Sequence, residues 1–196
     1  LASVTLSGLT ANGKTYDGTT VATINAGSAT LNGVVAGETI ALGTGGGSAS
    51  FATANAGTGI AVTGSGYTLT GATASNYSLV QPNGLTANID RRLLGVTISS
   101  NPTKVYDGTT VVADISGVDF TVSNLVAGET ITVQDSVSGL SYDSPNAGGR
   151  TVTATPAVSD YQAGANTQLS NYILPTTVTG AGTITPAPLE IRMVGN

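Results

Sequence analysis

One string occurs twice in the chain. Lys14-Thr15-Tyr16-Asp17-Gly18-Thr19-Thr20-Val21 returns as Lys104-Val105-Tyr106-Asp107-Gly108-Thr109-Thr110-Val111. Three shorter blocks follow it in the same order each time. Val35-Ala36-Gly37-Glu38-Thr39-Ile40 returns as Val126-Ala127-Gly128-Glu129-Thr130-Ile131. Asn55-Ala56-Gly57 returns as Asn146-Ala147-Gly148, and Ser75-Asn76-Tyr77 as Ser170-Asn171-Tyr172. The separations are 90, 91, 91 and 95 residues, so the second copy carries small insertions. A fixed long period means one folding unit repeated along the chain. Val96-Thr97-Ile98 opens the second copy as Val4-Thr5-Leu6 opens the first, and Leu189-Glu190-Ile191 aligns with Leu94-Gly95-Val96. The boundaries expected are therefore 1–92, 93–187, and 188–196 as the start of a further repeat. Some ninety residues suffice for a small independent core, unlike the shorter repeats that fold only against their neighbours.

The residues of each copy favour strands. Alternation of apolar and polar residues shows in Thr39-Ile40-Ala41-Leu42, Thr130-Ile131-Thr132-Val133 and Thr151-Val152-Thr153-Ala154-Thr155. Asn12-Gly13, Asp17-Gly18, Asn32-Gly33 and Asn83-Gly84 are turn signals. No sustained helical period is present, and glycine with β-branched residues penalises a helix. The fold class expected is all-β: two tandem antiparallel β-sandwich modules of immunoglobulin-like character. A β-grasp-like module is the alternative, because one short helix could occupy Thr109 to Asp114. A continuous β-helix predicts a rung-length repeat, which the period contradicts. Gly43 to Gly47 is a glycine-rich loop with no following helix and no Lys-Ser/Thr ending, so it is not a phosphate loop.

Composition then excludes most chemistry. The chain has no His and no Cys. That removes a Ser-His-Asp triad, a thiol nucleophile, the usual zinc ligand sets and disulfides. Six Lys+Arg against eleven Asp+Glu make the chain acidic, which argues against a nucleic-acid surface. Apolar runs are only a few residues long, so no membrane insertion is expected. The absence of thiols and the scarcity of lysine fit a protein exported unfolded to a bacterial surface. No catalytic residue, cofactor or metal is expected, and the fragment is expected to be monomeric.

The Lys-x-Tyr-Asp-Gly-Thr-Thr block, the Ala-Gly-Glu block and the Asn-Tyr block resemble the YDG-type repeats of large exported bacterial adhesins, including filamentous-haemagglutinin-like proteins of Gram-negative bacteria. The resemblance implies an extracellular, cell-surface β module in a tandem array, with a role in cell adhesion or biofilm. It carries no catalytic residues and no defined ligand. A host glycan or surface protein is the partner expected for the parent adhesin.

The residues singled out are Lys14, Tyr16, Asp17, Gly18, Glu38 and Asn76 in the first copy, and Lys104, Tyr106, Asp107, Gly108, Glu129 and Asn171 in the second. The bland reading makes them structural: tyrosines anchoring a small core, aspartates capping a turn, and glycines supplying positive φ. A sharper reading notes that one Lys, one Asn and one Glu per copy are the ingredients of an intramolecular isopeptide link. Asp114, Asp119, Asp135 and Asp143 are scattered acids without a calcium-loop spacing. A rival function, recognition of a glycan or host protein, predicts exposed tyrosines on one face. Tyr67, Tyr142 and Tyr161 are its candidates, because they fall outside the matched blocks.

Overall fold

The computed structural model describes residues 1–112, 114–135 and 137–192. The chain divides into two compact units, Leu1–Arg92 and Leu93–Asn196. Both are all-β. The described residues contain no α-helix and three single-turn 3-10 helices, Ala74–Asn76, Val158–Asp160 and Leu169–Asn171. The short helix entertained for Thr109 to Asp114 is not formed among the described residues. Val111 makes a bridge to Ser141 there, and Ala113 lies outside them. Residues 193–196, the end of the segment assigned to a further repeat, also lie outside them.

In the first module a six-stranded sheet runs in the order Thr10–Asn12, Val21–Asn25, Ser48–Phe51, Gly57–Ser65, Leu85–Asp90, Lys14–Thr15. Its two outermost strands are neighbours in sequence, separated only by Gly13. The sheet must therefore curl until its edges nearly meet, which leaves little edge open for foreign pairing. A Cβ on Gly13 would approach the Asn88 carbonyl to 3.0 Å, which shows how closely the chain passes there. The Asn12-Gly13 signal thus marks a crossing between opposite sheet edges rather than a hairpin. A second sheet places Ala2–Ser7 between Tyr77–Leu79 and Thr30–Asn32, and Ala41–Gly43 pairs with Thr68–Thr70.

The second module repeats the plan. Thr103–Val105, Val178–Thr185, Gly148–Ala154 and Ser141–Tyr142 form a four-stranded sheet. Gly95–Ile98 pairs with Phe120–Ser123, and Ile131–Val133 with Tyr161–Ala163. Most pairs are antiparallel. The exceptions are shared by both modules: Lys14–Thr15 is parallel to Leu85–Asp90, and Thr103–Val105 is parallel to Val178–Thr185. Ala2–Ser7 is likewise parallel to Tyr77–Leu79. Core residues come from alternate positions of these strands, as the pleat requires: Val4, Phe51, Val62 and Ile89 in the first module, Val96, Ile98, Val152 and Ile184 in the second, where Leu94 and Val118 add to the core from outside the strands. The Gly43-to-Gly47 loop leads directly into the strand Ser48–Phe51.

Candidate functional site: two knots per module

The repeated Tyr-Asp-Gly block forms a tight turn. Gly18 has φ of +77° and Gly108 of +78°, a region L side chains avoid. The aspartate before each glycine folds back on the chain. Asp17 Oδ1 accepts the Thr19 N–H and hydroxyl, each at 2.9 Å, and Asp107 Oδ1 accepts the same two groups of Thr109 at 2.9 Å. This is the side-chain mimicry of a turn for which aspartate is favoured.

The lysine then closes the knot. Lys14 Nζ donates to Asp17 Oδ1 at 2.7 Å, the Thr19 carbonyl at 2.7 Å and Thr19 Oγ1 at 2.9 Å. Lys104 Nζ donates to Asp107 Oδ1, the Thr109 carbonyl and Thr109 Oγ1 at 2.8, 2.7 and 2.9 Å. An ammonium has three hydrogens, and all three are directed inside the knot. Each ammonium also lies 5.5 Å from an aromatic centroid, Phe51 in one module and Tyr142 in the other, within cation–π range.

The knot shifts its aspartates. At Asp17 burial raises the carboxyl, but the hydrogen bonds from Lys14 and Thr19 override it and hold the group below its ordinary value. At Asp107 the Lys104 hydrogen bond, helped by those of Thr109, lowers the carboxyl from 3.8 to about 2. A depressed carboxyl contributes stability above its unfolded value and loses it as pH falls through the folded one. The melting-temperature gap between the native chain and Asp107→Asn should therefore be constant above pH 4 and close as pH falls toward 2. A gap that stays constant down to pH 2 would exclude the ionised pair as its source.

The second knot joins two blocks that lie far apart in sequence. Val35-Ala36-Gly37-Glu38 is a turn closed by the Glu38 N–H on the Val35 carbonyl at 3.1 Å, with Gly37 at φ +89°. The Tyr77 hydroxyl accepts the Val35 N–H at 3.0 Å and donates to Glu38 Oε2. In the second module the Glu129 N–H reaches the Val126 carbonyl at 3.1 Å, Gly128 has φ +85°, and Tyr172 accepts the Val126 N–H at 3.0 Å while donating to Glu129 Oε2. The hydrogen bond to Glu38 raises the Tyr77 hydroxyl above its ordinary value against the opposing effect of the Val35 N–H. That contribution is complete below pH 10 and is lost as the tyrosine ionises above it.

The sharper readings of these residues do not assemble. The lysine amine lies beside an ionised carboxylate, and Glu38 is engaged by Tyr77; an isopeptide link needs the amine, amide and acid together in a dry core. Asn76 is exposed, whereas its counterpart Asn171 is buried. Among the described residues no three acidic side chains gather as a metal would require. Asp114 accepts the Ser116 N–H and hydroxyl in a local turn.

The tyrosines need correction. Tyr16 is a core anchor at 4% exposure, but Tyr106 is 44% exposed. Both donate the backbone N–H to the last strand, to Asp90 and Thr185, at 2.8 Å. Beyond that point the chains diverge: Arg92 turns back to the Tyr16 carbonyl at 3.5 Å, while Pro186-Ala187-Pro188 leads away exposed. Tyr67, Tyr142 and Tyr161 form no exposed face, because all three are buried. Tyr142 donates to the Pro102 carbonyl at 3.0 Å and Tyr161 to the Pro175 carbonyl at 2.5 Å. Burial raises the hydroxyls of both, with Asp160 adding to it at Tyr161. Tyr67 packs over Gly47 and borders a shallow recess of about 370 Å³ with Ile24 and Ala49.

Tyr142 is in fact the counterpart of Phe51. Each sits opposite a buried valine, Val62 or Val152, each donates its N–H to the second threonine of the block at 2.8 Å, and each lies under the lysine. Sequence comparison misses this because one residue is Phe and the other Tyr. The signal available was the position of each, four residues before Asn-Ala-Gly.

No characterised protein and no solved structure matches the chain. A family model, the YDG domain, matches twice, at residues 2–84 and 90–180. Those spans cover both knots in both copies, so the chain belongs to the YDG-domain family and carries two of its domains in tandem.

Proposed function

We propose that the two modules are a structural spacer in an extracellular bacterial adhesin of the filamentous-haemagglutinin-like kind, a stalk segment that holds a distal binding region away from the cell. One observation carries this reading. The matched Lys14 and Lys104, Asp17 and Asp107, Glu38 and Glu129, and Tyr77 and Tyr172 direct their polar groups into knots within their own module. Residues retained for folding, rather than residues aimed at a ligand, are what a spacer needs to preserve from copy to copy. The buried positions of Tyr67, Tyr142 and Tyr161 support it over recognition by those side chains. No helix among the described residues is long and apolar enough to cross a membrane. Binding of a host glycan or surface protein then belongs to the parent rather than to these modules, and no catalytic step is assigned to them.

A spacer is interchangeable and a recognition module is not. In the parent adhesin, replacing both modules by two unrelated β modules of similar size should preserve attachment of the cell, while deleting both should reduce it. Loss of attachment on replacement, or binding of the isolated chain to a glycan or matrix-protein array, would overturn the reading.

A further inference from the structure

The opening and closing segments of each module run side by side in the same direction. In the first module Ala2 lies beside Tyr77, Val4 beside Leu79, Lys14 beside Ile89 and Thr15 beside Asp90. The separation is 75 residues at both ends, although the two stretches belong to different sheets. The Val80 N–H reaches the Val4 carbonyl at 2.9 Å, and the Tyr16 N–H the Asp90 carbonyl at 2.8 Å. In the second module Thr103, Lys104 and Val105 lie beside Thr183, Ile184 and Thr185, a separation of 80. The Leu94 N–H donates to the Ile173 carbonyl at 3.1 Å, just as the Tyr106 N–H donates to Thr185 one step beyond its pair. This places Leu93 beside Ile173, again 80 apart.

We propose that this parallel pair is a load-bearing clamp, which makes each module resist tension applied through its two ends. The inference rests on the spacer reading, since only a tethered chain is pulled this way. The physics is directional. Tension draws the first segment backward and the last segment forward along one axis. In a parallel pair that force slides the strands past each other, so all the hydrogen bonds between them share the load and fail together. An antiparallel hairpin pulled at its open end presents its bonds one at a time.

The last strand of the second module is also held on its other side. Val178–Thr185 pairs with Gly148–Ala154 over an unbroken register from Gly148 opposite Ile184 to Ala154 opposite Val178. Drawing Thr185 forward must shear that ladder too. The lysine knot sits at the same end. Lys104 pairs with Ile184 in the ladder, and its side chain ties the following turn to the strand.

Single-molecule force measurements on the whole chain test the clamp. The chain has no cysteine, so introduced thiols are unique handles. Ala147 and Thr185 are both exposed and lie at the same end of the antiparallel pair. Pulling through A147C/T185C opens the pair from that end instead of shearing it. N146C/P186C, one residue further out on each strand, serves if the first pair lowers the melting temperature. Pulled through its termini, the chain should give two events, each releasing roughly 300 Å of chain, as expected for some ninety extended residues. At equal loading rate their forces should exceed the opening force of the internal-handle variants several-fold. Equal forces in the two geometries would overturn the clamp. That result would leave the module-replacement experiment untouched, and failure of the replacement would leave the measured forces unchanged, so the two ideas fall separately.

Discussion

Tyr172→Ala is expected to lower the stability of the second module by about 3–5 kcal/mol, the range for truncating a buried aromatic. A domain of this size holds only about 5–15 kcal/mol in total. Tyr172 is 1% exposed, and its hydroxyl bridges the Val126 N–H and the Glu129 carboxylate. The substitution opens a cavity and removes the acceptor that pins the Val-Ala-Gly-Glu turn. Tyr172→Phe separates the two effects. It keeps the ring and removes only the hydroxyl, at a cost of about 1–3 kcal/mol for a hydrogen-bonding group left without its partner. Calorimetry of the whole chain should show the transition of the second module falling by roughly 20 °C for the alanine variant. The first module, whose equivalent knot is built on Tyr77, should keep its own transition. Equal losses for both variants would place all the energy in the hydroxyl and contradict the packing role.

Gly180→Ala should be nearly as costly for a different reason. Gly180 lies in the last strand of the second module, where the Gly95–Ile98 strand presses on it. A Cβ there would stand 2.4 Å from the Ile98 carbonyl oxygen and 2.6 Å from the Ile98 Cβ. Those atoms cannot rotate away, so a strand must move, and overpacking of this kind costs about 3 kcal/mol or more. Trimming the neighbour should not rescue it: Ile98→Ala keeps both the carbonyl and the Cβ. The melting temperature of the second module should drop by roughly 15 °C, and the double variant should melt no higher than Gly180→Ala alone. Recovery in the double variant would mean that the clash was with the outer atoms of Ile98 and not with its backbone. The corresponding position in the first module is Leu85. There Leu6 and Leu85 border an open recess of about 300 Å³ instead of a closed contact. The two copies thus solve the same junction differently, one by a close approach and one by a larger side chain.

Much of the local architecture was legible before any coordinates. The glycines of the Asp-Gly block, Gly18 and Gly108, adopt positive φ in both copies as their turn chemistry requires, whereas Gly37 and Gly128 of the Ala-Gly-Glu block do so in a turn that the sequence did not signal. Strands lie where polar and apolar residues alternate, at Ile131–Val133 and Gly148–Ala154. The aspartate cap was legible because its partner is two residues away. The role of the lysine was partly legible, since its acceptors lie three and five residues on. The tyrosines were not. Tyr106 and Tyr16 occupy the same motif, yet one is open and the other buried. Tyr142 and Tyr161 stand outside the matched blocks, where no repeated pattern marks them as core, and both are interior.

What the order of residues determined alone is the class of structure and its duplication. Both follow from short-range rules: the two-residue period of a pleated strand, the conformational freedom of glycine at a turn, and the reach of an aspartate to its own backbone. Only the tertiary structure decided which blocks meet, namely that Tyr172 closes on Glu129 across 43 residues, that Tyr142 stands where Phe51 does, and that the first and last segments lie parallel. Such pairings join residues that no local spacing relates. They are selected by the burial of apolar side chains and the pairing of backbone groups throughout the module at once, and a single stretch of chain holds neither.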